Sequence, residues 1–401
     1  MIELESAIKK TLSLIKKLDN ESISLVSSRG RYNALELTSK INLPIFDNSA
    51  MDGYAVASAD LKEATISNPI NLRCIENIPS GTSTKKKIKH GTCMRIFTGS
   101  PIPEGADAVI MQEDCQYNNE DGLIQINNQV KPWENIRIQG EDVRQGDKLL
   151  SKGELINSGA IGLLNATGHN NIIVGKKPRI GLIATGNELT ESSNKLELGK
   201  IYESNRGMLA SIITQANGLP KIYPIVKDDL DETTSALESA ITENDLIITS
   251  GGVSVGDHDF IKPALKKMGG EINLWKVSMK PGKPFMLGQA EGKTIFGLPG
   301  NPASTLITFL LLARPAILKL QGATNLHLTS NTGTLSNEIF NHSNRRHFIR
   351  VKIDENCHVS SIGNQGSHML SNLTKINGLI DIPPNSHIAK GGKVEVLMIP
   401  S

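Results

Sequence analysis

Three pieces of sequence decide the fold: DLIITSGGVSVGDHDF (residues 245–260), LWKVSMKPGKPF (274–285) and TIFGLPGNPAS (294–304). Each is a short apolar run, then a bend rich in glycine or proline, then polar residues. Such runs suit strands buried on both faces of a parallel sheet. The bends then fall at the carboxyl ends of the strands, where open α/β sheets bind ligands. Gly251 and Gly252 carry no side chain, so an oxyanion can come close to their backbone amides, and Ser254 follows in the same loop.

Read as one strand, the middle piece points Trp275, Val277 and Met279 one way and Lys276, Ser278 and Lys280 the other. The two lysine Cα atoms would then lie roughly 13 Å apart on one face. Lys283 sits just beyond, in the bend that contains Pro281. Two readings are open: solvated surface charges, the usual state of lysine, or stems that converge on a ligand with several anionic groups. In the third piece Asn301 suits an N-cap and Pro302 the first helical position. A helix is expected from about residue 303 to 320, kinked at Arg314-Pro315. Ser304 then lies in the first turn, beside unsatisfied N–H groups that favour an anion.

Composition bounds the remainder. At 401 residues the chain has room for about two to four domains. A formal charge of +2 argues against nucleic acid or a membrane surface as partner, so anion binding must come from local clusters. Cys74, Cys93, Cys115 and Cys357 form no CxxC pair, which indicates neither a zinc site nor a disulfide framework. No HExxH occurs. The N-terminus has no basic-then-apolar signal, and the longest apolar run, near Leu306 to Ala313, is short for a bilayer span. A soluble, cytoplasmic protein is the expectation.

In chain order, Leu4, Ile8, Leu12 and Ile15 have the spacing of an amphipathic helix. LPIFDNSAMDGYAV (43–56) carries Asp47, Asn48 and the turn dipeptide Asp52-Gly53. Residues 54–133 alternate short apolar runs with turn clusters, as a small β-rich domain does. Within it, RIFTGSPIP sets Thr98 at the end of a run. GEDVRQGD (140–147) then places Glu141, Asp142 and Arg144 in a loop. From about Lys177 strands alternate with helices, which implies a right-handed, mostly parallel sheet. RIGLIATGNEL (179–189) ends in Thr185-Gly186 with Glu188 just outside. A helix near 206–216 is expected to close at Gly218, and a later strand leads into Asp228-Asp229. Neither GxxxxGK[ST] nor GxGxxG is present. Residues 331–401 read as a compact β domain with two polar loops, RRHFIR (345–350) and NQGSH (364–368).

Taken as an ordered set, FDNSAMDGYAV, RIFTGSPIPEGADAV, GEDV, TGNEL, SNR, SGGVSVGDHDF, MKPGKPF, GLPGNPAS and QGSH resemble the MoeA/gephyrin E-domain family across nearly the whole chain. The resemblance implies a multidomain α/β plus β protein of four domains. These are a discontinuous N-terminal linker or dimerisation domain (1–42 and 137–176), a β-rich inserted domain (43–136), a central three-layer molybdopterin-binding domain (177–325) and a small barrel-like C-terminal domain (326–401). It implies a homodimer that inserts molybdate into adenylylated molybdopterin, giving molybdenum cofactor and AMP with Mg²⁺ assistance. Implied partners are the adenylyltransferase that makes the substrate and the chaperones of molybdoenzymes.

The resemblance assigns catalysis to Asp52, Thr98, Asp142, Glu188, Asp228, Asp259, Lys276 and Lys280, with Asp52, Glu188 and Asp259 as metal ligands. Ligand binding falls to Gly251, Gly252, Ser254, Pro281, Lys283, Ser304, Arg350 and Ser367. Lys280, Ser304, Arg350 and Ser367 form the implied molybdate pocket. Many relatives carry Asp where this chain has Asn187, which puts direct metal binding at 187 in doubt, and either Asp228 or Asp229 is the working carboxylate. Two other functions fit parts of the sequence: a molybdopterin adenylyltransferase, from the central domain alone, and a gephyrin-like scaffold without catalysis.

Overall fold

The computed structural model describes residues 1–118, 121–253 and 259–400. They form two compact units, residues 36–151 with 158–171, and residues 1–35 with 152–157 and 172–401.

The smaller unit is built on six strands: β1 Gly53–Val56, β2 Ile70–Ile78, β3 Thr92–Ile96, β4 Ala108–Met111, β5 Cys115–Asn118 and β6 Leu123–Ile126. Their order is β4-β1-β3-β2-β6-β5, antiparallel except for β2 with β3. Alternation sends Tyr54, Val56 and Ile110 into one core and Ala55, Val109 and Met94 into another, the period of a sheet covered on both faces. Gly53 opens β1 where a side chain has no room, since a Cβ there would lie 1.9 Å from the Ile110 carbonyl oxygen. A helix over Ser158–Ala166 belongs to the same unit.

The larger unit holds the expected α/β sheet. Its strands are β7 Arg179–Ala184, β8 Leu219–Ile222, β9 Leu246–Ser250, β10 Glu271–Trp275, β12 Met286–Ala290 and β13 Lys293–Leu298, with the short β11 Met279–Lys280 between β10 and β12 in sequence. The sheet runs β8-β7-β9-β13-β12-β10. The first four strands are parallel, and β12 and β10 close one edge antiparallel. Helices cover both faces: α1 Leu4–Leu14, α2 Asn205–Gln215, α3 Leu230–Glu243, α4 Ile261–Lys267, α5 Pro302–Thr308 and α6 Arg314–Leu320. Ile180, Leu182, Ile248 and Phe296 face α1, α2 and the α5–α6 rod. Ile183, Ile247 and Ile295 face α3 and α4. Successive residues of β7 and β9 therefore serve opposite layers, which is why the runs are apolar without alternation.

Two local expectations are corrected, and at a third place, the kink expected at Arg314-Pro315, the structure shows an irregular helical turn. The piece at 274–285 is not one strand: Lys276 has a φ of 70°, which separates β10 from β11 and removes the shared face for Lys276 and Lys280. The left-handed residue that ends α2 is Asn217, with a φ of 57°, not Gly218. Asn217 N–H donates to Thr214 O at 2.9 Å and Gly218 N–H to Ile213 O at 2.9 Å, the paired bonds of a Schellman end. Pro315 does not break the last helix. A π-helical turn at Phe309–Ala313 joins α5 to α6 and takes up the register that the missing proline N–H disturbs. The resulting helix Pro302–Leu320 is, by length and composition, long and apolar enough to cross a bilayer, unlike the shorter run read from sequence, but 89% of its apolar window is buried inside the protein.

The C-terminal strands are β14 Ser330–Leu335, β15 Arg346–Ile353, β16 His358–Ser361, β17 Gly378–Ile382 and β18 Lys393–Met398. They follow the order β15-β16-β14-β18-β17 and close by a β15–β17 pairing into a small barrel around Val351, Val359, Ile380 and Val396. β11 adds to it in parallel, pairing Met279 with Arg346 and Lys280 with His347. That pairing carries the lysine piece from the α/β sheet to the barrel.

Candidate active site

The carboxyl ends of three neighbouring parallel strands, β7, β9 and β13, lead into the loops at Thr185, Gly251 and Pro299. Short bonds tie these loops together: Thr185 N–H to Ser250 O at 3.2 Å and Gly251 N–H to Leu298 O at 3.1 Å. The Gly251 amide is thus spent inside the fold rather than offered to an anion. Gly251 and Gly252 have φ of 87° and 66°, and a Cβ on Gly252 would come 2.6 Å from Ile261 Cγ1, so the turn requires glycine at both places. Asn205, at the start of α2, bolts two of the loops with one amide: its Nδ2 donates to Ser250 Oγ at 2.8 Å and to Gly300 O at 2.6 Å. Next to it the buried Arg206 guanidinium donates to Glu203 at 2.9 Å and to both oxygens of Glu191 at 2.8 Å.

These loops, the Lys280–Pro284 bend, β15 and the 364–370 loop enclose a cavity of about 1020 Å³. Lys280, Pro281, Lys283, Ser304, Ser367 and Glu188 all line it, as do Gly251 and Gly252. Asn301 holds the N-cap position, but its side chain does not cap the helix. Instead Nδ2 donates to Ser367 Oγ at 3.1 Å, and Ala303 N–H donates to Ser367 O at 3.1 Å. The barrel loop is thereby fastened to the first turn of α5, next to Ser304, which is 4% exposed.

Arg350 lies behind the 364–366 loop and is 1% exposed. Its Nη2 donates to Asn364 O at 3.1 Å and Gly366 O at 3.0 Å, and its Nε to Gln365 Oε1 at 3.2 Å. Nη1 is buried with no partner among the described residues, and burial holds the group below its ordinary pKa. Lys276 does not line the cavity. Its ammonium and that of Lys262 sit 3.9 and 3.8 Å from the Trp275 ring centroid, within cation–π range. Ser254 lies outside the described residues.

The carboxylates separate by partner. Asp229 is the N-cap of α3, accepting from Asp231 N–H and Glu232 N–H at 2.9 Å each. Asp228 instead accepts from Asn187 N–H at 3.0 Å while Asn187 Oδ1 accepts from Asp228 N–H at 3.1 Å. The oxygen of Asn187 is therefore engaged with backbone, a task that needs no charge. Asp259 is 9% exposed, and neither of its oxygens has a donor among the described residues. Burial raises its carboxyl to about 6, Lys262 opposes the shift and Asp228 adds to it. In the smaller unit Asp52 accepts from Thr98 N–H and Thr98 Oγ1–H, both at 2.8 Å, which holds its pKa below the usual value. Asp142 is exposed in the 140–147 loop. No cluster of three His, Cys, Asp or Glu side chains fit to hold a metal occurs among the described residues.

Residues 2–168 match the MoeA N-terminal region (domain I and II), residues 181–319 a probable molybdopterin binding domain, and residues 332–399 the MoeA C-terminal region (domain IV). The molybdopterin molybdenumtransferase of Haemophilus influenzae is 36% identical over 386 residues, 95% of this chain and 94% of its own. That of Bacillus subtilis is 32% identical over 404 residues, 99% and 94%. The chain belongs to the molybdopterin molybdenumtransferase family. It is accordingly a transferase of molybdenum cofactor biosynthesis. A solved family structure, the molybdopterin biosynthesis moeA protein from Pyrococcus horikoshii OT3, superposes with a TM-score of 0.86 at 31% identity over 100% of both chains.

Asn205, Arg345 and His347 contribute to this site and carried no assigned role in the sequence reading. Asn205 was visible only as the middle of the SNR string. His347, buried and lining the cavity, lies in the RRHFIR string, which reads as a polar loop in the sequence but runs into β15 in the structure.

Proposed function

We propose that this transferase inserts molybdate into adenylylated molybdopterin and releases AMP, with a divalent cation assisting. The observation that carries the reading is the polarity of the cavity. One wall presents Lys280, Lys283 and Arg345, with the buried Nη1 of Arg350, unpartnered among the described residues, behind the 364–366 loop, and suits a tetrahedral dianion and a phosphate linkage. The volume suits a nucleotide-sized ligand. Ser304 and Ser367 add hydroxyl donors on the same cavity.

The orphaned carboxylate of Asp259, with Asp228 beside it, fits a hard cation such as Mg²⁺. These two would supply its protein ligands in this unit, with phosphate and water oxygens completing the shell, while Glu188 lines the cavity apart from them. Bound there, Mg²⁺ would neutralise phosphate charge and polarise the phosphoryl oxygen. Lys280, Lys283 and Arg345 orient the anionic groups, and Asn205 keeps the two loops in register. We further propose the four-domain, homodimeric plan, with Asp52 of one protomer serving the cavity of its partner. Matches over the N- and C-terminal regions weigh against an adenylyltransferase made of the central domain alone.

The test is AMP release from adenylylated molybdopterin followed with and without molybdate and Mg²⁺. Release should require both. Equal turnover in excess EDTA without oxyanion would sink the assignment.

A further inference from the structure

His347 stands on β15 directly opposite Lys280 of β11 and lines the cavity. It is 7% exposed, and its Nε2 has no hydrogen-bond partner among the described residues. Buried polar atoms are nearly always paired, so an orphaned ring nitrogen at a cavity wall is a group placed for a ligand. The charges around it are cationic: Lys280 across the strand pairing, Arg350 on its own strand and Arg345 just before that strand begins. On the other side of β15 its partner is Ile382 of β17, and the neighbouring Asp381 is held by Arg346 at 2.9 Å. The other titratable groups on the cavity wall are Glu188, Tyr202, Glu203, Lys283 and His368, and Glu203 is engaged by Arg206.

We propose that His347 contacts the oxyanion in this cavity and takes up a proton as the anion binds, so that oxyanion affinity weakens as pH rises. The proposal rests on the oxyanion reading above and names a residue and a linkage that reading does not contain. Its physical basis is a reversal of sign. Without ligand, burial first, then Lys280, Arg350 and Arg345 disfavour the imidazolium and bring its pKa down to about 4, so the ring is neutral near pH 7. A dianion seated among those cations cancels their repulsion and offers the ring an acceptor, and both effects favour the charged form. A group whose pKa rises on binding draws in a proton between its free and bound pKa values. Across that window the affinity falls as pH rises, by up to about tenfold per pH unit for one proton. A histidine that merely fills space shows no such linkage.

The experiment is titration calorimetry of the full-length protein with sodium molybdate between about pH 6 and pH 8, in pairs of buffers with different ionisation enthalpies. The wild type should take up a substantial fraction of a proton per oxyanion and bind more weakly as pH rises. His347→Gln and His347→Asn keep polar atoms that cannot titrate in this range. Thermal melts identify which variants are folded, and a folded one should bind molybdate with little proton uptake and a flattened pH dependence. Wild-type binding without proton uptake overturns the role of His347 and leaves the oxyanion reading standing. So does a folded variant with the wild-type pH slope. No molybdate binding at any pH overturns the oxyanion reading and this proposal together.

Discussion

Both carboxylate oxygens of Asp259 are buried without a donor among the described residues, and burial moves its pKa from 3.8 to about 6. An acid with a raised folded-state pKa binds its proton more tightly folded than unfolded. Its contribution to stability is therefore present below about pH 4, falls as pH rises to about 6, and is lost above that. Asp259→Asn removes the buried charge at nearly constant shape. The variant should melt at a higher temperature near pH 7.5, by an amount corresponding to about 1–3 kcal/mol, and lose the wild-type decline between pH 4 and 6. Added Mg²⁺ should raise the melting temperature of the wild type and leave the variant unmoved. If Asp259→Asn is less stable at pH 7.5, the carboxylate has a partner in the folded protein and its reading as an open cation ligand fails. On the proposed cation-ligand reading, function at this residue is held against stability. The acid itself could be picked out from the DHDF string, but its isolation could not, because burial and missing donors depend on chain segments remote in sequence.

At the level of single elements, the adjacent Asp228 and Asp229 show how a helix end divides labour. Asp229 caps α3 with two backbone bonds, so Asp229→Ala should cost about 1 kcal/mol of stability and leave AMP release within a few-fold of wild type. Asp228→Asn keeps the backbone contact to Asn187 through an amide oxygen. It should be nearly neutral in a melt and should impair the Mg²⁺-dependent reaction severely. The reverse pattern in the two variants would assign the working carboxylate to Asp229. Elements of this kind were legible where periodicity or a turn residue marks them: the apolar runs of β7, β9 and β13, the helix after Asn301-Pro302, the alternation that announces a parallel sheet. They were not legible where tertiary bonds choose between local options. A positive φ at Lys276 splits what reads as one strand, because β10 belongs to the α/β sheet and β11 to the barrel. Asn301 looks like a cap by residue type, yet Ser367, far along the chain, takes its amide. Lys280 lines the cavity, but the single strand that the sequence suggests for it does not exist as one piece, and Arg350 comes from family motifs rather than from any local pattern.

On the scale of the whole molecule, the residues that the family resemblance assigns to catalysis and binding occur in both compact units. Asp52 and its Thr98 clamp belong to the smaller unit, and Lys280, Ser304 and Arg350 to the larger one. The Asp52 carboxylate is held in its charged form by two donors while remaining exposed, a poised anion rather than a structural one. If it serves the metal-bound reacting state, Asp52→Asn should abolish turnover and leave pterin binding largely intact, since the loss falls on the transition state more than the ground state. Whether one protomer's Asp52 serves its own cavity or its partner's is decided by subunit complementation. Inactive Asp52→Asn and inactive Lys280→Ala protomers are separately tagged, mixed and purified as heterodimers. In a shared-site dimer both lesions fall at one site and the other site is wild type. The heterodimer should then recover up to about half of the wild-type activity per dimer, from counting sites in a twofold pair. Heterodimers that stay inactive, with both homodimers folded by melt and by size, place Asp52 and Lys280 in the same protomer's site and refute the shared-site plan.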